Sequence, residues 1–419
     1  MAKILVQGGN RLEGKITISG AKNAALPLIA AALLTDKPLV LTNMPGLDDV
    51  QTMSNLMKGL GVSVERDRDA VTFDAARLSS TKAPEELVRT MRASVLVLGP
   101  LVAREGKAQV ALPGGCAIGA RPVDLHLSAL EQMGADITIR DGFVEAVAPD
   151  GLRGAFITFP KVSVGATENL LMAATLAKGE TVLNNAAQEP EITDLADCLR
   201  AMGANITGIG TSRLTIQGVP SLHGTVHPVV ADRIEAGTFA VAAAMTRGDL
   251  LLENARADHL TAPIDILRRV GATVLEQEGS IRVHCSADTL TATDFTTEPF
   301  PAFPTDLQAQ FMAMMSIASG TAVIRETIFE NRFMHVPELT RMGASISIND
   351  RSAIVRGVGG LTGAHVIATD LRASVAMVLA GLVAEGQTEI GNIYHLDRGY
   401  DQVEAKLSAV GASIQRVES

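Results

Sequence analysis

Thirteen consecutive residues bring a thiol, a guanidinium and a carboxylate together among three glycines: Leu112-Pro113-Gly114-Gly115-Cys116-Ala117-Ile118-Gly119-Ala120-Arg121-Pro122-Val123-Asp124. Glycine weakens helix and strand interiors, so this run reads as a mobile or tightly turned loop. A cysteine on such a loop has little to pack against and is free to meet a ligand. An arginine five residues on can lower the thiol pKa or hold an anion beside it. Nucleophilic addition, proton delivery and anion binding are the chemistries these residue types support. The other two cysteines read differently: Cys198 falls in a helical pattern and Cys285 near a strand, as small core residues do.

More chemistry-bearing residues gather where apolar helices begin. They are Lys22-Asn23, Arg92 with Ser94, Lys161 and Ser163 running to Glu168, Asp232-Arg233, Asp306, and Asp370-Leu371-Arg372. Helix N-termini carry unpaired N–H groups and partial positive charge, which makes them anion sites. Lysine or arginine there opposes the helix dipole and calls for a compensating anion, which a ligand phosphate or carboxylate would supply. Asp232 and Asp306 also fit the plainer role of N-caps. Arg332 sits at the centre of a polar stretch after a strand, and Arg398 holds the matching place near the C-terminus.

Six repeated elements must position these groups. The phrase Leu-x-x-(apolar)-Gly-Ala-x-(Ile/Val) recurs, with drift in its first copy, around Gly61, Gly134, Gly203, Gly271, Gly343 and Gly411, 68 to 73 residues apart. Each copy reads as a helix closed by a glycine and followed by a strand. Each unit also carries an earlier helix that is apolar almost all round and so belongs in the interior. Those runs are 24–34, 94–103, 169–177, 236–245, 307–318 and 372–384. Six such units imply α/β layers with helices inside, divided most simply into two domains of three, with crossings near Gly20-Ala21 and near residues 229–232.

Composition narrows the class. The 419 residues are 47% hydrophobic and 20% charged with a net charge of −10, which suits a globular chain and opposes nonspecific nucleic-acid binding. With two tyrosines, eleven phenylalanines and no tryptophan, aromatic base-stacking is not expected. Three cysteines without a CxxC pair suit a reducing compartment, so the cytoplasm is the expected location. No apolar run approaches the roughly 18–20 residues of a membrane helix, and the N-terminus reads as a strand. The eight histidines show no HExxH-type spacing, and neither a P-loop nor a helix-opening GxGxxG occurs. No metal and no cofactor is expected.

Four phrases carry a family resemblance: Ser19-Gly20-Ala21-Lys22-Asn23, Pro113 to Gly119 around Cys116, Arg121-Pro122-Val123-Asp124-Leu125, and Phe329-Glu330-Asn331-Arg332-Phe333-Met334-His335. Together they resemble the enolpyruvyl transferases, the EPSP synthase family, along the whole chain. The resemblance implies a two-domain inside-out α/β barrel, three repeats per domain, with buried helices surrounded by sheets. The domains would be residues 22–230 and residues 1–21 plus 231–419, with the active site in the cleft between them. It also implies transfer of the enolpyruvyl group of phosphoenolpyruvate to the 3′-hydroxyl of UDP-N-acetylglucosamine, an early step toward peptidoglycan, by addition and elimination of phosphate.

By that similarity Cys116 is the acid-side residue, open to alkylation by fosfomycin, and Asp306 is the base at the sugar hydroxyl. Lys22 and Arg398 join them as catalytic candidates. Lys22, Asn23, Arg92, Arg121, Arg332, Arg372 and Arg398 match residues around the phosphate and carboxylate. Arg121, Pro122, Val123, Asp124, Leu125, Lys161, Ser163, Val164, Gly165, Asp306 and Ile328 match positions that hold the UDP-sugar. The partners implied are these two small molecules, with neither nucleic acid nor membrane. The shikimate-using branch lacks the Cys116 loop and the Lys22-Asn23 phrase in this form. A non-catalytic UDP-sugar binder remains the other alternative, against which stand the intact Cys116 loop and Asp306.

Overall fold

The computed structural model describes residues 2–112 and 123–418. Six central helices carry most of the apolar content: α1 (Lys22–Ala31), α2 (Leu98–Glu105), α3 (Val164–Ala174), α4 (Arg233–Met245), α5 (Gln308–Met315) and α6 (Leu371–Val383). Every residue of α4 and α5 is buried, and so is α3 from Ala166 to Ala174. A helix apolar on all sides is stable only when neighbours cover all of it. Among the described residues, no helix is long and apolar enough to cross a membrane.

Two of the expected helices begin differently. The run at 94–103 is a 3-10 turn, Arg92–Val97, before α2, and that at 307–318 opens with the 3-10 turn Thr305–Leu307 before α5. In the first case Pro100 has no N–H to give the carbonyl four residues back, so α-helical bonding starts only beyond it.

Each central helix leads through a strand to an outer helix with one buried stripe. Helix Asp48–Gly59, for instance, buries Val50, Met53, Leu56 and Met57. A glycine at positive φ ends this segment in every repeat: Gly61 (100°), Gly134 (90°), Gly203 (103°), Gly271 (114°), Gly343 (97°) and Gly411 (105°). The left-handed conformation costs glycine nothing, and there the chain turns from outer helix into a strand.

The chain forms two compact units, and each has its own apolar core. In the unit containing residues 20–112 and 123–230, three sheets surround α1, α2 and α3. One has the order Val226–Pro228, Leu39–Thr42, Ala70–Asp74, Ser63–Asp67, and another Asn205–Thr207, Arg213–Gln217, Glu180–Asn184, Phe156–Thr158. The third has three strands, Lys107–Ala111, Phe143–Val147 and Asp136–Arg140, and the parallel edge strand of its siblings is reduced to a bridge between Lys82 and Gln109.

The unit of residues 2–19 and 231–418 surrounds α4, α5 and α6 in the same way. Glu13–Thr17 lies parallel to Asp249–Glu253 at the edge of one sheet. Lys3–Gln7 lies between Gln387–Gly391 and Ser413–Val417, antiparallel to both, as the second-from-edge strand of another. With few aromatics available, these cores are filled by Ala, Leu, Ile, Val and Met. One aromatic cluster joins them, in which Phe303 lies tilted 4.5 Å from Phe295 and edge to face 4.9 Å from Phe311 between ring centroids.

Candidate functional site

In the unit of residues 231–418, Asp306 lies in the turn that leads into α5, and it caps nothing. Its Oδ1 accepts a 3.0 Å bond from Arg332 Nη2, and its Oδ2 a 2.8 Å bond from Arg372 Nη2. Both arginines are buried, at 6% and 3% exposure, where isolated charge is costly. Burial alone would lower the Arg372 pKa, but Asp306, and then Tyr400 and Asp232, outweigh it and push it up. Each guanidinium also keeps a buried Nη1 without a hydrogen-bond partner among the described residues. Two positive charges therefore share one carboxylate and retain two unused donors, a combination that favours a further anion.

Several neighbours hold this group in place. The Arg332 guanidinium lies 5.5 Å over the Phe329 ring centroid and that of Arg372 5.6 Å over Tyr400. Glu326, 1% exposed, accepts bonds from Thr297 and Thr305 hydroxyls and from the main-chain N–H groups of Ile328 and Phe329. One buried carboxylate thus fixes both the turn before Asp306 and the segment carrying Ile328. Asp370 caps α6 through the N–H groups of Arg372 and Ala373, which sets the direction in which Arg372 leaves the helix. Asp232 caps α4 in the expected way, through Ile234 and Glu235. Arg398 follows the short helix Tyr394–Asp397 and is half-buried; after burial, its charge is the next cause holding His395 low.

In the other unit, Lys22 opens α1 with Asn23 beside it, both half-buried. Within the chain the counter-charge expected from a ligand is Asp49, whose Oδ2 lies 2.7 Å from Lys22 Nζ. Ser163 caps α3 by accepting from Ala166 N–H, with Val164 and Gly165 in the first turn and Lys161 exposed two residues earlier. Arg92 opens its 3-10 turn half-buried. Val123, Asp124 and Leu125 start the helix Asp124–Gln132. Cys116, Arg121 and Pro122 lie outside the described residues.

Sequence reasoning missed His126 and Asn169, which join these segments. Asn169 Oδ1 accepts from Gly99 N–H at 2.7 Å and its Nδ2 donates to Val95 O at 3.2 Å, which fixes the amide's orientation. The same Nδ2 lies 2.9 Å from His126 Nδ1, so that nitrogen accepts and Nε2 carries the proton. Burial, and then Arg92, hold His126 at about 4, so the ring is neutral at neutral pH. A Cβ built on Gly165 would stand 3.6 Å from Nε2, so the imidazole faces the first turn of α3. The 123–125 and 163–165 segments are thereby brought together, with Arg92 close enough to act on the same ring. Only the position of His126 directly after Asp124-Leu125 could have signalled it.

Below that turn, Glu168 is 5% exposed, and its pKa is pushed up by burial and then by Glu191 and Glu189. Among the described residues no group of three or more His, Cys, Asp and Glu side chains is arranged to hold a metal ion.

Comparison with known proteins adds an independent line. Residues 6–407 match the family model of EPSP synthase (3-phosphoshikimate 1-carboxyvinyltransferase). The chain is 57% identical over 417 residues to the UDP-N-acetylglucosamine 1-carboxyvinyltransferase of Gluconobacter oxydans, covering 100% of both. It is 58% identical to the protein of that name from Acidiphilium cryptum, again covering 100% of both. Among solved structures, the enolpyruvyl transferase NikO from Streptomyces tendae superimposes with a TM-score of 0.88 at 26% identity, over 100% of this chain and 99% of that one. EPSP synthase from Acinetobacter baumannii shares the fold, with a TM-score of 0.75 at 21% identity over 100% of both.

Proposed function

Because the chain belongs to the EPSP synthase family, we propose that it moves the enolpyruvyl group of phosphoenolpyruvate onto the 3′-hydroxyl of UDP-N-acetylglucosamine. Phosphate is released, and the product is the first committed precursor of peptidoglycan. The observation that carries the reading is Asp306, a carboxylate bridged by two buried guanidiniums that each keep an unused donor. A reaction that adds an alcohol to a substrate bearing both phosphate and carboxylate needs a base beside cations, and this group offers both.

The steps assigned are an addition and an elimination. Phosphoenolpyruvate C3 takes a proton, for which Cys116 is the donor in this reading. The sugar oxygen bonds to C2 as its proton passes to Asp306. The tetrahedral ketal then returns a C3 proton to the Cys116 thiolate as the C2–O bond to phosphate breaks, and inorganic phosphate leaves. Lys22, Asn23, Arg92, Arg121, Arg332, Arg372 and Arg398 are assigned to the phosphate and carboxylate. Residues 121–125, Lys161, Ser163 to Gly165 and Ile328 are assigned to the UDP-sugar, where the neutral Nε2–H of His126 adds a donor. With free, unpaired thiols and a nucleotide-sugar acceptor, the reaction is assigned to the cytoplasm, with no membrane or nucleic-acid partner.

The experiment is phosphate release from phosphoenolpyruvate with UDP-N-acetylglucosamine, run beside shikimate 3-phosphate. Release with the nucleotide sugar alone is expected, and EDTA should leave it unchanged. Equal or faster release with shikimate 3-phosphate would reassign the acceptor.

A further inference from the structure

The Asp306 carboxylate is held by two arginines, but its main chain is held by something else. Gln310, fully buried in α5, directs its Nε2 at three oxygens: Asp306 O at 2.9 Å, Tyr400 Oη at 3.1 Å and Thr238 Oγ1 at 3.2 Å. Turning this amide over would set its carbonyl against the Asp306 carbonyl, which cannot donate, so the amide has one orientation. The proton order in the group follows. Thr238 has one hydroxyl proton and gives it to Ile234 O at 2.8 Å, within α4. In the 3.0 Å contact between Thr238 Oγ1 and Tyr400 Oη, the tyrosine must then donate. Tyr400 Oη in turn accepts from Gln310, whose second amide hydrogen goes to Asp306 O.

The donations therefore diverge from Gln310, one to the Asp306 peptide and the other through Tyr400 and Thr238 to the backbone of α4. All three side chains are at most 3% exposed, so no bulk water competes for these bonds. Burial, more than any neighbour, pushes the Tyr400 pKa up, which keeps its hydroxyl a donor. The same tyrosine presents its ring to Arg372, the partner of Asp306 Oδ2. Tyr400 thus touches both the glutamine that holds the turn and the guanidinium that grips the carboxylate.

We propose that Tyr400 and Gln310 are positioning residues for the transfer reaction, setting where the Asp306 carboxylate stands through this buried hydrogen-bond chain. The proposal rests on the reading of Asp306 as the base. Holding a proton acceptor in place matters because small displacements of a reacting group cost rate steeply. Neither side chain needs to touch substrate.

Tyr400→Phe keeps the ring beneath Arg372 and deletes only the hydroxyl, and Gln310→Leu deletes both amide contacts. Thr238→Val removes the end of the chain and serves if either of these fails to fold. Each is measured for kcat, for both KM values and for melting temperature, alone and in an Asp306→Glu background, where the carboxylate is already displaced. Tyr400→Phe should lower kcat about tenfold, the effect of losing one buried hydrogen bond of ordinary strength, with KM within about twofold. In the Asp306→Glu background the same change should cost less than about twofold. A kcat within about twofold of wild type in a folded Tyr400→Phe protein would overturn the proposal. So would a loss of equal size in both backgrounds, because a purely structural defect multiplies independently of Asp306. Absence of phosphate release by the wild-type chain would instead remove the parent reading, and this shows before any variant is made.

Discussion

Asp306 serves two purposes in this reading, as proton acceptor and as counter-ion to Arg332 and Arg372, and substitution separates them. Asp306→Asn keeps the shape and removes the charge. Turnover should fall by about 10²- to 10⁴-fold, the usual range for losing a positioned base. The variant should also melt lower, because two buried guanidiniums lose their partner. Added phosphate or phosphoenolpyruvate should then raise its melting temperature more than it raises that of wild type; an equal rise in both would show that the arginine pair takes no external anion. His126 supports a prediction about pH. Its folded pKa of about 4 lies below the ordinary 6.5, so the unfolded chain binds a proton that the folded chain refuses. Stability should therefore fall as pH drops from about 6.5 toward about 4, by about 3 kcal/mol from this group over the full span. Melting curves at pH 7.5 and 5 should show His126→Gln losing less on acidification than wild type; identical losses would count against a buried neutral ring. At this scale the sequence was legible wherever charge interrupted an apolar helix start, as at Asp306 and Arg372. Glu326, Gln310 and Tyr400 were not legible, because each gains its meaning from partners that only the fold brings near.

Among the elements, the glycine positions separate into two physical kinds. Gly134 sits at φ 90°, and a Cβ there would meet nothing within 4 Å. Gly134→Ala should cost only left-handed backbone strain, about 1 kcal/mol, and lower the melting temperature by a few degrees. Gly99 lies in α2 where a Cβ would stand 2.1 Å from Asn169 Oδ1. Gly99→Ala must push α3 away and break the amide bridge that orients His126, so about 3 kcal/mol or more is expected. Calorimetry that gave the two substitutions equal cost would contradict this ordering. The repeat period was readable in the sequence because every outer helix needs a left-handed residue at its end, and glycine supplies it. The central helices were readable as apolar runs, but their 3-10 openings were not, since a 3-10 turn has no period of its own. Edge strands such as Phe156–Thr158 and Val226–Pro228 are three residues long, too short to show alternation.

At the scale of the whole molecule, the two units differ in how the chain supplies them. The unit of residues 20–112 and 123–230 includes every strand of its described sheets, with Val226–Pro228 completing the sheet begun by Leu39–Thr42. The other unit needs its first nineteen residues, which provide an inner strand of one sheet and the edge of a second. A 20–230 fragment should therefore fold cooperatively by itself, whereas a 231–419 fragment should stay unfolded until a peptide of residues 1–19 is added. Circular dichroism melts of the two fragments test this, and a cooperative transition for 231–419 alone would refute it. The sequence offered the N-terminal segment as a strand, but its partners lie nearly the full chain length away, where no local pattern can name them. During synthesis this order has a cost in time. Lys3–Gln7 leaves the ribosome about 400 residues ahead of its two neighbours, so the strand waits unpaired for on the order of 20 to 80 seconds. The middle unit can close during that wait, and the nascent chain carries an apolar, unpaired β-segment throughout, the kind of sequence that chaperones shield.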